Sequence, residues 1–223
     1  MQKETQIHEI SLGLSQAYLI RARVGCVLVD TGMPGQLGRI MRRVKSLGWG
    51  ALTLIYLTHA HLDHAGSAAA LRDATSAPVA IHWADAQALA QGETCLGSLG
   101  SKRRLIQRFV PELEKILNYS GVQADILFED GDDLAEYGLE ARVYHTPGHT
   151  LGSSSLVVEE KVAFVGDLAS NTGKPHLQRY YAEDWSLLMQ SVIHMQKLGL
   201  QRVYGGHGRG FLPSKVFDEL VLS

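Results

Sequence analysis

The most reactive stretch of this sequence is a pattern H-x-H-x-D-H, which supplies three imidazoles and one carboxylate from His59, His61, Asp63 and His64. An apolar run over 52–57 precedes it and is typical of a β-strand. In extended chain, side chains two residues apart share a face, so His59 and His61 can point at one atom. Asp63 and His64 fall where the chain turns toward a helix and can reach a second point nearby. The spacing therefore predicts two adjacent metal positions.

The ligand types indicate which metals fit. Imidazole and carboxylate suit Zn²⁺, Mn²⁺ or Fe rather than Cu(I), and no cysteine lies near the motif. Two divalent cations held close together lower the pKa of a shared water from ~16 toward ~7, and one cation also polarises a carbonyl or phosphoryl oxygen. We expect two divalent metal ions per chain, Zn²⁺ ahead of Fe or Mn, and hydrolysis by a hydroxide held between them.

Three further residues of the same chemistry follow predicted strands in the second half of the chain. His149 follows a strand pattern at 139–145, and Asp167 follows another at 162–165. His207 lies in a Gly-Gly-His-Gly stretch shortly after a short strand pattern at 202–204. Glycines permit tight turns and close backbone approach to a ligand, and loops at strand ends carry the sites of α/β folds. We therefore expect all three residues to join the site.

Strand and helix patterns alternate along the chain, which predicts an α/β fold. Strand patterns cover 7–23 (a pair), 24–30, 52–57, 79–81, 124–128, 139–145, 153–159, 162–165 and 202–204, and helical patterns cover 37–47, 65–72, 83–90, 184–198 and 213–220. At 223 residues and 45% hydrophobic content the chain can bury one sizeable core. The spread of site residues along the sequence favours one domain over 1–223.

The composition restricts the partners. Lys and Arg number 21 against 23 Asp and Glu, so no bulk positive charge points to nucleic acid or to an anionic membrane. We expect a small-molecule substrate. No apolar run reaches signal-peptide length or the ~20 residues of a membrane helix, which favours a cytoplasmic protein. In a reducing compartment Cys26 and Cys95 are expected to be free thiols rather than a disulfide.

The segment 92–121 differs in residue composition from the rest of the chain. Three glycines precede a helical stretch with Lys102, Arg103, Arg104 and Arg108 on one side and apolar residues on the other. One interpretation is an amphipathic surface helix with a solvated basic face. The other is a lid over the substrate entrance or a contact between the subunits of a homodimer.

The full set of seven residues resembles the signature of the metallo-β-lactamase superfamily, and among its branches the glyoxalase II-like and lactonase-like hydrolases. The resemblance covers nearly the whole chain, from Asp30 to His207. It implies a four-layered αββα sandwich with a metal pair at one edge. It also implies two ligand sets that share a bridging carboxylate: His59, His61 and His149 for the first ion, Asp63, His64 and His207 for the second, and Asp167 between them. Asp30 resembles the acid that supports the histidine loop, although a turn aspartate that bonds its own backbone is an equal interpretation.

Function is predicted more coarsely than the site, because one fold hosts many reactions. We expect a metal-dependent hydrolase of a small ester, thioester or lactone, in which Asp63 also orients the hydroxide and passes its proton to the leaving group. A different class stays open: sulfur dioxygenases of similar fold bind one iron, and His59, His149 and Asp167 match that triad. A scaffold without metal is a third alternative, disfavoured because it leaves charged ligands clustered and unpaired.

Overall fold

The structure is a computed structural model that describes residues 5–95, 103–178, 182–210 and 216–221, and side chains over all of these except 103–108 and 219–221. Strands are β1 (Ile7–Ser11), β2 (Gln16–Arg21), β3 (Cys26–Val29), β4 (Leu52–Tyr56), β5 (Val79–His82), β6 (Ile126–Phe128), β7 (Ala141–His145), β8 (Ser154–Val158), β9 (Val162–Phe164), β10 (Ala169–Ser170), β11 (His176–Leu177) and β12 (Arg202–Tyr204). Helices are α1 (Leu37–Leu47), α2 (Leu62–Ala65), α3 (Ala68–Thr75), α4 (Ala86–Gln91), α5 (Arg103–Ile116), α6 (Trp185–Gln196) and α7 (Val216–Val221).

The strands form two mixed sheets. The first has the order β1-β2-β3-β4-β5-β6, antiparallel up to β3 and parallel from β3 to β6. The second has the order β12-β9-β8-β7, with β9 and β12 parallel and the other pairs antiparallel. Each strand predicted from the sequence is present within a few residues. The short hairpin β10-β11 was not predicted, because two-residue strands leave no alternating pattern.

Three apolar clusters show how the layers stack. The middle cluster joins the facing sides of the two sheets, for example Tyr18 and Leu54 of the first with Leu156 and Phe164 of the second. A second cluster lies between the outer side of the first sheet and helices α1, α3 and α4. The third lies between the second sheet and helices α6 and α7. The layers therefore run helix, sheet, sheet, helix, and the predicted αββα sandwich is confirmed.

Two helices differ from their predicted bounds. The helix predicted at 83–90 divides into a 3₁₀ turn, Trp83–Asp85, and α4. The helix predicted at 65–72 is preceded by the single turn α2, so Asp63 and His64 are helical. Among the helices that the structure describes, none combines the length and the apolar composition that a bilayer crossing requires.

Leu54 tests the packing between the sheets, because its side chain is fully buried there. Leu54→Ala is expected to lower the free energy of unfolding by about 2–5 kcal/mol, since it removes buried methyl groups and leaves a cavity. Urea unfolding of the metal-free protein measures this loss. The matched control is Leu127→Ala, because Leu127 is 54% exposed in β6. Equal losses in the two variants would contradict this account of the core.

Candidate metal centre

All seven residues predicted as ligands meet at one edge of the sandwich. His59 and His61 follow β4, Asp63 and His64 lie in α2, His149 lies between β7 and β8, Asp167 lies in a 3₁₀ turn after β9, and His207 follows β12. Each position comes just after a strand whose carboxyl end points to this edge. The nitrogen and oxygen atoms that could bind a cation fall into overlapping groups whose atoms lie within 4.8 Å of one another.

The first group consists of His59, His61 and His149. His61 Nδ1 lies 2.9 Å from His149 Nε2, and the ring of His59 stands 4.6 Å and 4.8 Å from the centres of the other two rings. All three side chains are buried. Three converging imidazoles with little access to bulk water are a typical donor set for a transition metal ion.

The second group consists of Asp63, His64 and His207. His207 Nε2 lies 3.4 Å from Asp63 Oδ2 and 3.5 Å from His64 Nε2, and the Asp63 and His64 atoms are 3.8 Å apart. His207 is oriented from its other nitrogen, because Nδ1 lies 2.7 Å from the carbonyl oxygen of Leu14. The ring therefore presents Nε2 to the site.

Asp167 lies between the two groups. Its Oδ2 is 3.4 Å from His149 Nε2 and 3.1 Å from His207 Nε2, and its Oδ1 is 3.3 Å from His64 Nε2. One carboxylate therefore contacts a member of each set.

Two buried atoms test whether cations fit the site. In the described part of the chain, His59 Nε2 and Asp167 Oδ1 are shielded from solvent and have no hydrogen-bond partner. A buried polar atom without a partner costs free energy, and such atoms are uncommon in native proteins. Both residues belong to the ligand groups, where a bound cation would satisfy these atoms. The donor set therefore fits metal binding.

The electrostatics separate the two sets. Burial lowers the pKa of His59 well below its usual range, and burial lowers that of His149 to about 3, so both rings are neutral and able to bind metal. Burial also opposes the charge of His64 and His207, but the neighbouring carboxylates together outweigh it, Asp167 most of all. They raise the pKa of His64 well above its usual range and that of His207 to about 9. Burial of Asp167 opposes its charge and would raise its pKa. The neighbouring His207 and His64 outweigh this effect together with His149, and they lower the pKa of Asp167 well below its usual range. A cation bound at the second set would therefore displace protons from these rings.

Asp30 lies directly behind the histidines. It has a left-handed backbone (φ 57°), its Oδ2 is 2.8 Å from His64 Nδ1, and its Oδ1 accepts a 2.8 Å hydrogen bond from the Thr58 amide. The Thr58 hydroxyl contacts both Asp30 and, at 3.0 Å, His59 Nδ1. Asp30 thus bonds distant residues rather than its own turn. The sequence did not single out Thr58 as a residue that supports the site, although its position directly before His59 could have indicated that role.

The described parts of segment 92–121 contact the histidine loop. The Thr94 hydroxyl accepts from the Leu62 amide at 3.1 Å, and the Cys95 carbonyl lies 2.7 Å from His61 Nε2. The Tyr119 hydroxyl donates to the Ala60 carbonyl at 2.7 Å. These contacts support the loop from one side, and nothing in the sequence singled them out. The predicted basic side chains at 102–108 lie outside the described side chains, and a lid or dimer contact stays a prediction.

The remaining histidines lie outside the ligand groups found among the described residues. His145 stacks on His82, with ring centres 3.9 Å apart, and His176 Nδ1 is 2.9 Å from the carbonyl of Lys174. The pair Tyr180-Tyr181 lies outside the described residues.

The fold and the convergent His/Asp site together define a metal-dependent hydrolase. The chain belongs to the metallo-beta-lactamase superfamily, because the sequence profile of that superfamily matches residues 10–207. The predicted family is therefore confirmed.

Two curated relatives and one solved structure illustrate the similarity. A "Probable metallo-hydrolase" of Methanocaldococcus jannaschii is 28% identical over 87% of this chain and 87% of its own length. The hydroxyacylglutathione hydrolase of Rhodospirillum rubrum is 29% identical over 75% of this chain, and the match spans 53% of that protein. The crystal structure of the B3 metallo-beta-lactamase BLEG-1 superposes with a TM-score of 0.74 at 26% identity, covering 96% of this chain and 97% of the other.

Proposed function

We propose that this protein hydrolyses a small ester, thioester or lactone and uses two divalent metal ions, Zn²⁺ ahead of Fe or Mn. The observation that carries the proposal is the position of Asp167, whose Oδ2 lies 3.4 Å from a nitrogen of the first histidine set and 3.1 Å from one of the second. A carboxylate within reach of both sets is suited to bind two cations that lie side by side.

The chain's own residues have separate tasks in this reaction. His59, His61 and His149 would hold one ion, Asp63, His64 and His207 the other, and Asp167 both. Bound ions of this kind activate water near neutral pH and polarise the carbonyl of the substrate. The buried imidazoles exclude bulk water from the inner side of the site.

Asp63 is suited to move a proton. Its side chain is 26% exposed, against 15% for His207 and 6% for Asp167, so it borders the open side of the site. The Ser15 hydroxyl bonds the Asp63 backbone carbonyl and thereby fixes the residue without occupying its carboxylate. We assign Asp63 to orient the attacking water and to pass its proton to the leaving group.

The proposed substrate class draws on chemistry and on relatives. The R. rubrum relative acts, by its name, on an acyl glutathione, which is a thioester. A chain of net charge −2 offers no bulk attraction to nucleic acid, and we propose neither a nucleic-acid nor a membrane partner. Cys26 and Cys95 are free thiols, which is the form that a reducing cytoplasm maintains, and we propose that compartment for the protein. We also propose that residues 1–223 form a single domain.

Metal content is the first test. Protein purified without added metal is expected to contain about two zinc ions per chain and to hydrolyse members of an ester, thioester and lactone panel. Elemental analysis per chain and spectrophotometric assays measure both quantities. A matched control is His194→Ala, which changes a histidine outside the ligand groups and should leave the metal content unchanged.

The same measurement distinguishes the other class of reaction. One iron per chain, with oxygen uptake on a persulfide substrate, would replace the hydrolase by a dioxygenase that uses His59, His149 and Asp167. Protein that binds neither zinc nor iron after metal-free refolding and titration would contradict both assignments.

A further inference from the structure

Asp85 is a buried carboxylate between the two loops that carry the first histidine set. It ends the 3₁₀ turn after β5 and is 2% exposed. Its Oδ2 accepts hydrogen bonds from the Ala60 amide at 3.0 Å and from the Thr150 hydroxyl at 2.8 Å. Its Oδ1 accepts from the Gly152 amide at 2.8 Å. Both oxygens are therefore bonded to donors on different loops.

These donors lie next to the ligands themselves. Ala60 is the residue between His59 and His61, and Thr150 directly follows His149. A single carboxylate thus bridges the two loops, whose ligand atoms His61 Nδ1 and His149 Nε2 lie 2.9 Å apart. Hydrogen bonds to an ionised acceptor are about twice as strong as neutral ones, which suits this bracing position.

The surroundings of Asp85 are adapted to these long-range contacts. Asp85 occupies the N-cap position of α4, where aspartate usually caps the helix, yet its side chain makes no capping bond there. Gly152 is needed for space, because an added Cβ would overlap Oδ1 of Asp85. The Ala60 carbonyl is also held, by the hydroxyl of Tyr119. The amide and the carbonyl of Ala60 are therefore both bonded to buried side chains, Asp85 and Tyr119.

We propose that Asp85 is a positioning residue for the first metal set, joining the loop of His59 and His61 to the loop of His149. The proposal rests on the proposed function, because it assigns a metal to those three histidines. Asp85 does not contact the ligand groups' metal-facing atoms; it acts through Ala60, Thr150 and Gly152. Outer partners of this kind affect metal affinity about 10- to 100-fold in other metal sites.

The test measures zinc affinity in two single-site backgrounds. His207→Ala leaves the first set intact, and His61→Ala leaves Asp63, His64 and His207. Each metal-free protein is titrated with Zn²⁺ against a chromophoric chelator, with and without Asp85→Asn. The Asn side chain has the shape of the Asp side chain, but an NH₂ group replaces one of the two accepting oxygens. That NH₂ group would face an N–H or O–H donor, which it cannot accept from. We expect about 10- to 100-fold weaker binding in the His207→Ala background and a change within about twofold in the His61→Ala background.

Two further comparisons separate positioning from general damage. Thr150→Val removes the hydroxyl that donates to Asp85, whereas Thr150→Ser keeps it, so Val should weaken zinc binding at the first set and Ser should restore it. Asp125→Asn is the structural control, because Asp125 accepts from the Val79 amide far from the ligands. It should lower stability and leave zinc affinity unchanged. Circular dichroism confirms that each variant is folded.

The outcomes distinguish the two proposals. If neither background binds zinc, the metal role of these histidines fails, and the Asp85 inference fails with it. If both backgrounds bind zinc and Asp85→Asn affects them equally or not at all, the Asp85 inference alone is overturned. Selective weakening of the first set, with Thr150→Ser close to the wild type, supports it.

Discussion

Asp63→Asn is expected to reduce kcat by about 10²- to 10⁴-fold while both metal ions stay bound, because a positioned acid or base contributes a factor of that size. Asn keeps one oxygen toward His207 and His64, and those two residues with Asp167 still hold the second ion. The variant has an amide NH₂ in place of the other oxygen, so it lacks the carboxyl group that takes up and releases the proton. Steady-state kinetics on the best substrate and elemental analysis of the same sample measure both halves of the prediction.

The control for Asp63→Asn is Asp73→Asn, which makes the same change of charge on the exposed face of α3. It should leave kcat and metal content as they are. Full turnover by Asp63→Asn with two metals bound would show that the proton role is wrong. Loss of the second metal together with turnover would show that Asp63 acts as a ligand alone.

Asp167→Asn is expected to weaken the binding of a second ion by about 10³-fold. A unit charge ~4 Å from a cation contributes ~4 kcal/mol at an effective dielectric of ~20, and each 1.4 kcal/mol is about tenfold in affinity. The first set should keep one ion, because its three imidazoles remain. Zinc titration against a chelator should therefore change from two tight steps to one, with hydrolysis lost.

Asp130→Asn is the corresponding control, since Asp130 accepts a hydrogen bond from the His145 amide at the protein surface, outside the ligand groups. That variant should retain two tight steps. Two unchanged zinc affinities in Asp167→Asn would contradict the shared position of Asp167, and the proposed function would lose the observation that carries it.

Much of this architecture is readable from local patterns. The alternation in β2 places Ala17 and Leu19 in the outer core and Tyr18 and Ile20 between the sheets, as the two-residue period requires. The ligand residues were predicted from their types and from their places just past strand ends. Short-range rules suffice here because strand direction and side-chain alternation are properties of adjacent residues.

The helix around Asp85 shows where local patterns stop. Residues 83–90 have helical periodicity, but the carboxylate of Asp85 bonds Ala60, Thr150 and Gly152, which are 25, 65 and 67 residues away, and a 3₁₀ turn precedes α4. Tyr119 reaches Ala60 across 59 residues in the same way. No window of sequence contains both partners of such a bond.

The sequence by itself indicated the family, the strands and the candidate metal ligands, because each depends on residue type and local spacing. Only the tertiary structure decided that Asp30 bonds Thr58 and His64 rather than its own turn, and that Asp85 joins two loops. These relations depend on how two sheets pack face to face. Packing brings together residues whose separation along the chain carries no record of their distance in space.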